Sequence, residues 1–172
     1  VAKCGNAACS AGNTLTTVDA AGNVGQYTSI AIGPDGLPAI AYWDPTNFAL
    51  KVAKCGNAAC SAGNTLTTVD GAATGQFTAI AIGADGLPVI AYYDAATQGL
   101  KVAKCGNAAC TAGNTLTMVD AAGDVGWFTA IAIGPDGLPV IAYYDATNQD
   151  LKVAKCGNAA CSAGNTLTTV DA

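Results

Sequence analysis

The side chains in this chain most able to do chemistry are its eight cysteines, which form four pairs of one spacing: Cys4 with Cys9, Cys55 with Cys60, Cys105 with Cys110, and Cys156 with Cys161. Gly-Asn-Ala-Ala lies inside every pair. Gly-Asn is turn chemistry, so a four-residue loop closing a hairpin would set the two cysteines opposite each other at disulfide distance. Redox catalysis generally uses Cys-x-x-Cys, which is absent. A four-thiolate zinc site would have to recruit the turns of two repeats, because the pairs stand about 50 residues apart. Bridges between repeats or chains are the third arrangement. We read all eight as local disulfides and expect no metal and no cofactor. Loop entropy makes each six-residue ring worth about 2 kcal/mol, so four independent rings would add about 8 kcal/mol. Disulfides point away from the reducing cytosol, so the expected location is extracellular or at a cell surface.

The other reactive side chains come from a narrow set. All 12 acids are Asp, all 7 bases are Lys, and there is no His, Glu or Arg. Without His the chain lacks the commonest general base near neutral pH, and with it Ser-His-Asp and Cys-His catalysis. Without Arg it lacks the usual bidentate clamp for carboxylate and phosphate. A net charge of −5 argues against nucleic acid and anionic membrane surfaces as partners. No apolar run approaches the roughly 20 residues of a membrane-spanning helix. The expectation is a protein that is not an enzyme.

Two sets of aspartates recur. Asp35, Asp85 and Asp136 sit in Asp-Gly turns, where a carboxylate ordinarily bonds local backbone N–H groups. Asp44, Asp94 and Asp145 follow the aromatic pairs Tyr42/Trp43, Tyr92/Tyr93 and Tyr143/Tyr144. An aromatic ring beside an acid can hold a sugar by stacking and by accepting from its hydroxyls; the same residues can equally pack between sheets. Tyr42, Asp44, Tyr92, Asp94, Tyr143 and Asp145 are therefore the candidate ligand-binding residues, with a glycan as the candidate ligand. Lys51, Lys101, Lys152, Lys54, Lys104 and Lys155 read as solvated strand lysines that discourage aggregation.

The elements that must position these groups follow from internal repetition. Lys-Cys-Gly-Asn-Ala-Ala-Cys starts at Lys3, Lys54, Lys104 and Lys155, at intervals of 51, 50 and 51 residues. Periods of this length mark stacked arrays. Each period holds four short β-forming runs, exemplified by Gln26–Ile32, Leu37–Trp43, Leu50–Cys55 and Asn13–Asp19. Gly33-Pro34-Asp35-Gly36 closes the first hairpin, and the cysteine turn closes the second. Along the first hairpin Ser29, Ala31, Ala39 and Ala41 form a small face, with Ile30, Ile32, Ile40 and Tyr42 opposite. The one-residue deletion that shortens the second period falls in the loop at Gly71–Gly75, as indels do. No helical periodicity appears. The predicted class is all-β: tandem four-stranded antiparallel repeats like propeller blades, with a β-trefoil or β-solenoid as alternatives.

Ile30–Tyr42 and its copies Ile80–Tyr92 and Ile131–Tyr143 resemble the blade core of β-propellers related to the sialidase Asp-box group. They are similar too to bacterial secreted tandem-repeat proteins whose blades carry a Gly-x-Asp-Gly-x-Pro turn, then Ala-Tyr-x-Asp and a cysteine pair. The resemblance implies blade-like repeats in a secreted protein. No sialidase site carries over, because that enzyme relies on an arginine cluster.

One array spans residues 1–172: a partial repeat at 1–25, consisting of a cysteine hairpin, then full repeats at 26–75, 76–126 and 127–172. Seven hairpins thus make three whole units and one spare. No initiator Met opens the chain and both ends fall inside a repeat, so we expect a segment of a longer parent chain or a homopolymer. The expected function is that of an extracellular structural repeat protein, part of a self-assembling filament, sheath or surface array. A carbohydrate-binding lectin or adhesin is the alternative.

Overall fold

The computed structural model describes residues 1–71 and 73–171. Its first two strands are short, β1 (Ala2–Lys3) and β2 (Thr14–Leu15), and pair as a two-stranded ribbon. Three four-stranded antiparallel sheets follow, each a meander of consecutive strands. Blade 1 is β3 (Gln26–Ile32), β4 (Pro38–Asp44), β5 (Ala49–Lys54) and β6 (Thr65–Asp70). Blade 2 is β7 (Thr74–Ile82), β8 (Pro88–Asp94), β9 (Gly99–Lys104) and β10 (Thr115–Asp120). Blade 3 is β11 (Val125–Ile133), β12 (Pro139–Asp145), β13 (Asp150–Lys155) and β14 (Thr166–Asp171). There is no helix among the described residues. Tandem sheets of this kind are blade-like, and they share no closed barrel of the trefoil type.

The period-2 alternation of each strand places one face of a blade against the blade before it and the other against the blade after it. Ala39, Ala41, Leu50 and Val52 of blade 1 pack on Ile80, Ile90, Tyr92 and Ala103 of blade 2. Val89, Ala91, Leu100 and Val102 of blade 2 meet Ile141, Tyr143 and Ala154 of blade 3 in the same way. Small residues on one face receive large ones from the next, so the core of this molecule is its set of joints.

The first strand of each blade carries a bulge, at Gln26/Ser29, Gln76/Ala79 and Trp127/Ala130. Tyr27, Phe77 and Phe128 sit there with φ of 51° to 52°. The bulge turns a main-chain carbonyl out of the ladder and toward the following blade. The Thr78 hydroxyl donates to the Tyr27 carbonyl and the Thr129 hydroxyl to the Phe77 carbonyl. Gly75 closes the same joint from the other side. A Cβ on it would lie 2.6 Å from the Leu50 Cα, so a bare α-carbon is required.

The cysteine hairpin differs from expectation in every repeat. The last ladder pairs are Lys54↔Thr65, Lys104↔Thr115 and Lys155↔Thr166, so a ten-residue loop joins the strands. The partners of each pair therefore do not face each other across a ladder: not Cys4 and Cys9, not Cys55 and Cys60, not Cys105 and Cys110, and not Cys156 and Cys161. Each disulfide instead rings off the first half of the loop, with Cα atoms 4.7 to 4.8 Å apart. The second cysteine of each ring, at Cys9, Cys60, Cys110 and Cys161, takes φ of 52° to 54°, which turns the chain back on itself without a strand partner. Two asparagines organise the remainder. Asn64 accepts from the Gly56 N–H at 3.2 Å and donates to the Cys60 carbonyl at 2.7 Å, while Asn57 accepts from the Ser61 N–H at 3.0 Å. Asn165 repeats this in blade 3, donating to the carbonyl of Cys161 at 2.6 Å. The physical reason for the difference is that these side-chain bonds to backbone replace ladder bonds through the whole loop.

Candidate functional site

The chemistry of this molecule collects at the joints between blades. At each, an aspartate ending the fourth strand of one repeat reaches a tyrosine and a lysine that face each other across the second and third strands of the next. Asp70 of β6 accepts from the Tyr92 hydroxyl at 2.7 Å and from Lys101 Nζ at 2.6 Å. Asp120 of β10 accepts from Tyr143 at 2.7 Å and Lys152 at 2.5 Å. Asp19, following β2, does the same with Tyr42 at 2.8 Å and Lys51 at 2.5 Å. Each lysine also lies over its tyrosine ring, 5.6 to 5.8 Å from the centroid.

A second carboxylate stands behind each lysine. Asp44, Asp94 and Asp145 approach Lys51, Lys101 and Lys152 at 3.7, 3.3 and 3.7 Å. Their oxygens are already engaged by the turn that follows: Asn47 donates both its backbone N–H and its side-chain amide to Asp44, and Asn148 does so to Asp145. The six residues Tyr42, Asp44, Tyr92, Asp94, Tyr143 and Asp145 are all buried. The structure brings them together in pairs, one pair per repeat, with their polar atoms turned toward protein partners.

The electrostatics follow from that enclosure. Burial alone would raise the Asp19 carboxyl, but hydrogen bonds from Lys51, the Ala21 N–H and Tyr42 outweigh it and hold the group at about 2. Asp120 is lowered by the same balance, burial being overcome by Lys152, the Ala122 N–H and Tyr143. Burial, reinforced by the neighbouring carboxylates, pushes Tyr42, Tyr92 and Tyr143 above the ordinary phenol range. The Asp19 and Asp120 carboxylates are thus held ionised into the acid range, each beside a phenol that stays a neutral donor.

Each of the six lysines expected on a solvated strand has an ion-pair partner instead. Lys54, Lys104 and Lys155 meet the turn aspartates Asp35, Asp85 and Asp136 at 2.8 Å. Those aspartates also accept from Leu37, Leu87 and Leu138 N–H groups at 3.0 to 3.1 Å, the local bond that Asp-Gly turns favour. The cysteine pairs lie in the joints as well. Cys55 and Cys60, Cys105 and Cys110, and Cys156 and Cys161 are buried there, whereas Cys9 is exposed. Thr16 and Thr67 each add a hydroxyl bond to the cysteine loop of the next blade, at the Ala59 and Ala109 carbonyls, 3.0 and 2.9 Å away.

Sequence reasoning missed the role of Asp19, Asp70 and Asp120. Their signal was present, since an acid recurs at the end of each fourth strand and a Tyr and a Lys recur in the next repeat, but the contact joins residues 22 to 32 apart. Among the described residues, no group of three or more Cys or Asp is placed to hold a metal ion. No helix among the described residues is long and apolar enough to cross a membrane.

Fold and joints together define a class: a tandem array of β-blades, each carrying a disulfide and each latched to the next by the same buried Asp–Tyr–Lys cluster. Compared with known proteins, the chain matches no family profile and no curated protein. Its four disulfides fit an oxidising environment.

Proposed function

We propose that this is a non-enzymatic structural repeat protein, extracellular or at a cell surface, forming part of a self-assembling filament, sheath or surface array. The observation that carries this reading is the joint. Its parts recur from repeat to repeat; the outward face of blade 3 is uncovered, and that of blade 1 is covered only in part by residues 1–20. Ile30 is 54% exposed where its copy Ile80, inside a joint, is 7% exposed; Leu151 is 45% exposed where Leu100 is 0% exposed. Faces of this kind associate head to tail, and head-to-tail contacts that do not close give linear polymers. The titratable side chains in the joints are committed to one another, which favours a mechanical role over a catalytic one.

Negative-stain electron microscopy of the purified chain, with and without reductant, tests the reading. Elongated polymers of uniform width are expected. A monodisperse monomer across the accessible concentration range would overturn it.

Glycan binding has one specific observation in its favour, away from the buried tyrosines. Tyr27, Phe77 and Phe128 form a row with ring centroids 4.5 and 4.7 Å apart, and Tyr27 and Phe128 are exposed. Sugar binding on a glycan array that disappears in Phe128→Ala would favour this second reading.

A further inference from the structure

Residues 1–20 and 153–172 are identical in sequence, yet they occupy different settings. The first copy lies over the open face of blade 1, where Asp19 reaches Tyr42 and Lys51, Thr16 reaches the Ala59 carbonyl, and Val18 packs beside Ile40 and Tyr42. The last copy is the outer half of blade 3. There Thr168 and Asp171 occupy the positions of Thr16 and Asp19 but stand exposed. We propose that residues 1–20 are an exchangeable cap, displaced from blade 1 by the C-terminal blade of a second copy of this chain. The proposal rests on the self-assembly reading and specifies its joint.

The cap fits blade 1 poorly. Its strands β1 and β2 have two residues each, and β2 ends four residues before Asp19. It supplies no counterpart of Ala39, Ala41 and Leu50, which fill the next joint. A cavity of about 320 Å³ is left, lined by Val1, Val18, Val24, Ile40, Tyr42 and Ala53. A second, of about 310 Å³, reaches Ile30. Gly25 marks the same vacancy. A Cβ on Gly75 or Gly126 would strike the backbone of Leu50 or Leu100, whereas one on Gly25 meets nothing within 4 Å.

Blade 3 carries the missing parts. Val140, Ala142 and Leu151 stand where Val89, Ala91 and Leu100 stand in blade 2, and Leu151 is nearly half exposed where Leu100 is fully buried. Were blade 3 of a second copy to take the place of the cap, one Asp–Tyr–Lys latch would be exchanged for an identical one and one threonine bond for another. Those contributions cancel. What remains is burial of apolar surface and the filling of both cavities, which favours exchange at high protein concentration. The displaced hairpin is released, and the incoming chain presents its own capped blade 1 to the next, so growth continues in one direction.

The two identical segments allow a decisive test in the 172-residue chain, with assembly followed by light scattering and sedimentation velocity. Asp19→Asn weakens the seated cap and leaves the incoming latch intact, so assembly should quicken. Asp171→Asn weakens only the incoming latch, so the apparent association constant should fall about tenfold or more, the scale of one charge-assisted hydrogen bond. Leu151→Asp should abolish assembly while the monomer keeps its circular dichroism. Val18→Ala is a second way of loosening the cap should Asp19→Asn misfold. If the wild type polymerises but Asp19→Asn and Asp171→Asn act alike or not at all, the exchange is wrong and self-assembly survives by another contact. If the wild type and the loosened-cap variants all remain monomeric, both ideas fall.

Discussion

The lysine at each joint gains its stability from two directions, an aspartate of the preceding repeat and the aromatic ring beside it. Removing Asp120 leaves the Tyr143 phenol enclosed without its acceptor and Lys152 with only the more distant Asp145, 3.7 Å away. Asp120→Ala should therefore destabilise the chain by about 3 kcal/mol, the usual scale for breaking a buried pair. Asp171→Ala, with the same chemistry on an exposed strand, should stay within about 0.5 kcal/mol in the monomer. Urea melts of the two variants make the comparison. The acid limb of stability has the same origin. A carboxyl held at about 2 when folded, against 3.8 when free, stabilises the fold above 3.8, and that contribution is lost as pH falls toward 2. Asp44, Asp120 and Asp145 are lowered too and act in the same sense. On the alkaline side the sign reverses. Tyr42, Tyr92 and Tyr143 are raised, so their contribution is complete below the free value of 10.0 and fades above it. Tm should stay level between about pH 5 and 9 and fall on both sides; a maximum near pH 3 would contradict the latch. At this scale the sequence was half legible. Tyr42 and Asp44 stood out as a pair because residue types show in a sequence. Their burial did not, because the neighbour that covers them lies in another repeat.

Strand boundaries follow from alternation and turn chemistry, which act over a few residues. Gln26–Ile32 was readable to the residue, and the small and large faces of the first hairpin match the joints they form. The ten-residue cysteine loop was harder to see. It is held by side chains bonding backbone, Asn57 and Asn64 above all, and such bonds have no period to detect. Its disulfide matters in proportion to where it is buried. Replacing Cys105 and Cys110 together by alanine removes a ring worth about 2 kcal/mol of loop entropy and also empties a packed position in the joint. Replacing Cys156 and Cys161 should act in the same way, since both are buried against blade 2. The same double change at Cys4 and Cys9 removes only the ring. Thermal melts should rank the first two variants clearly below the third, and equal melts would mean that the buried sulfurs contribute nothing to the joint. An element-level defect can also be repaired. Trp43 Nε1 is buried with no hydrogen-bond partner, whereas Tyr93 and Trp127 donate to Asp124, whose place in the preceding repeat is taken by Ala73. Ala73 has φ of 71°, a conformation Asp tolerates, so Ala73→Asp should stabilise blade 1 by about 1 kcal/mol in a urea melt.

Across the whole molecule the three blades are nearly alike in sequence and unlike in energy, because a blade's stability depends on how many joints it enters. Leucine at the third strand isolates this effect. Leu50 and Leu100 are fully buried against the next blade, while Leu151, on the outer face of blade 3, is not. Leu→Ala at either of the first two positions deletes the same methyl groups from a closed joint and should cost about 2 to 5 kcal/mol. At Leu151 the change should cost only about 1 kcal/mol in the monomer, since nearly half of the transfer from water has not occurred. The hierarchy is also a measure of assembly. Once blade 3 is covered by another copy, Leu151 acquires the environment of Leu100, and Leu151→Ala should then weaken the polymer by an amount approaching the Leu100→Ala effect. Chemical denaturation of the monomer beside the critical concentration of the polymer separates the two contributions. Equal and small effects of Leu151→Ala in both states would show that the outer face of blade 3 is not where chains meet.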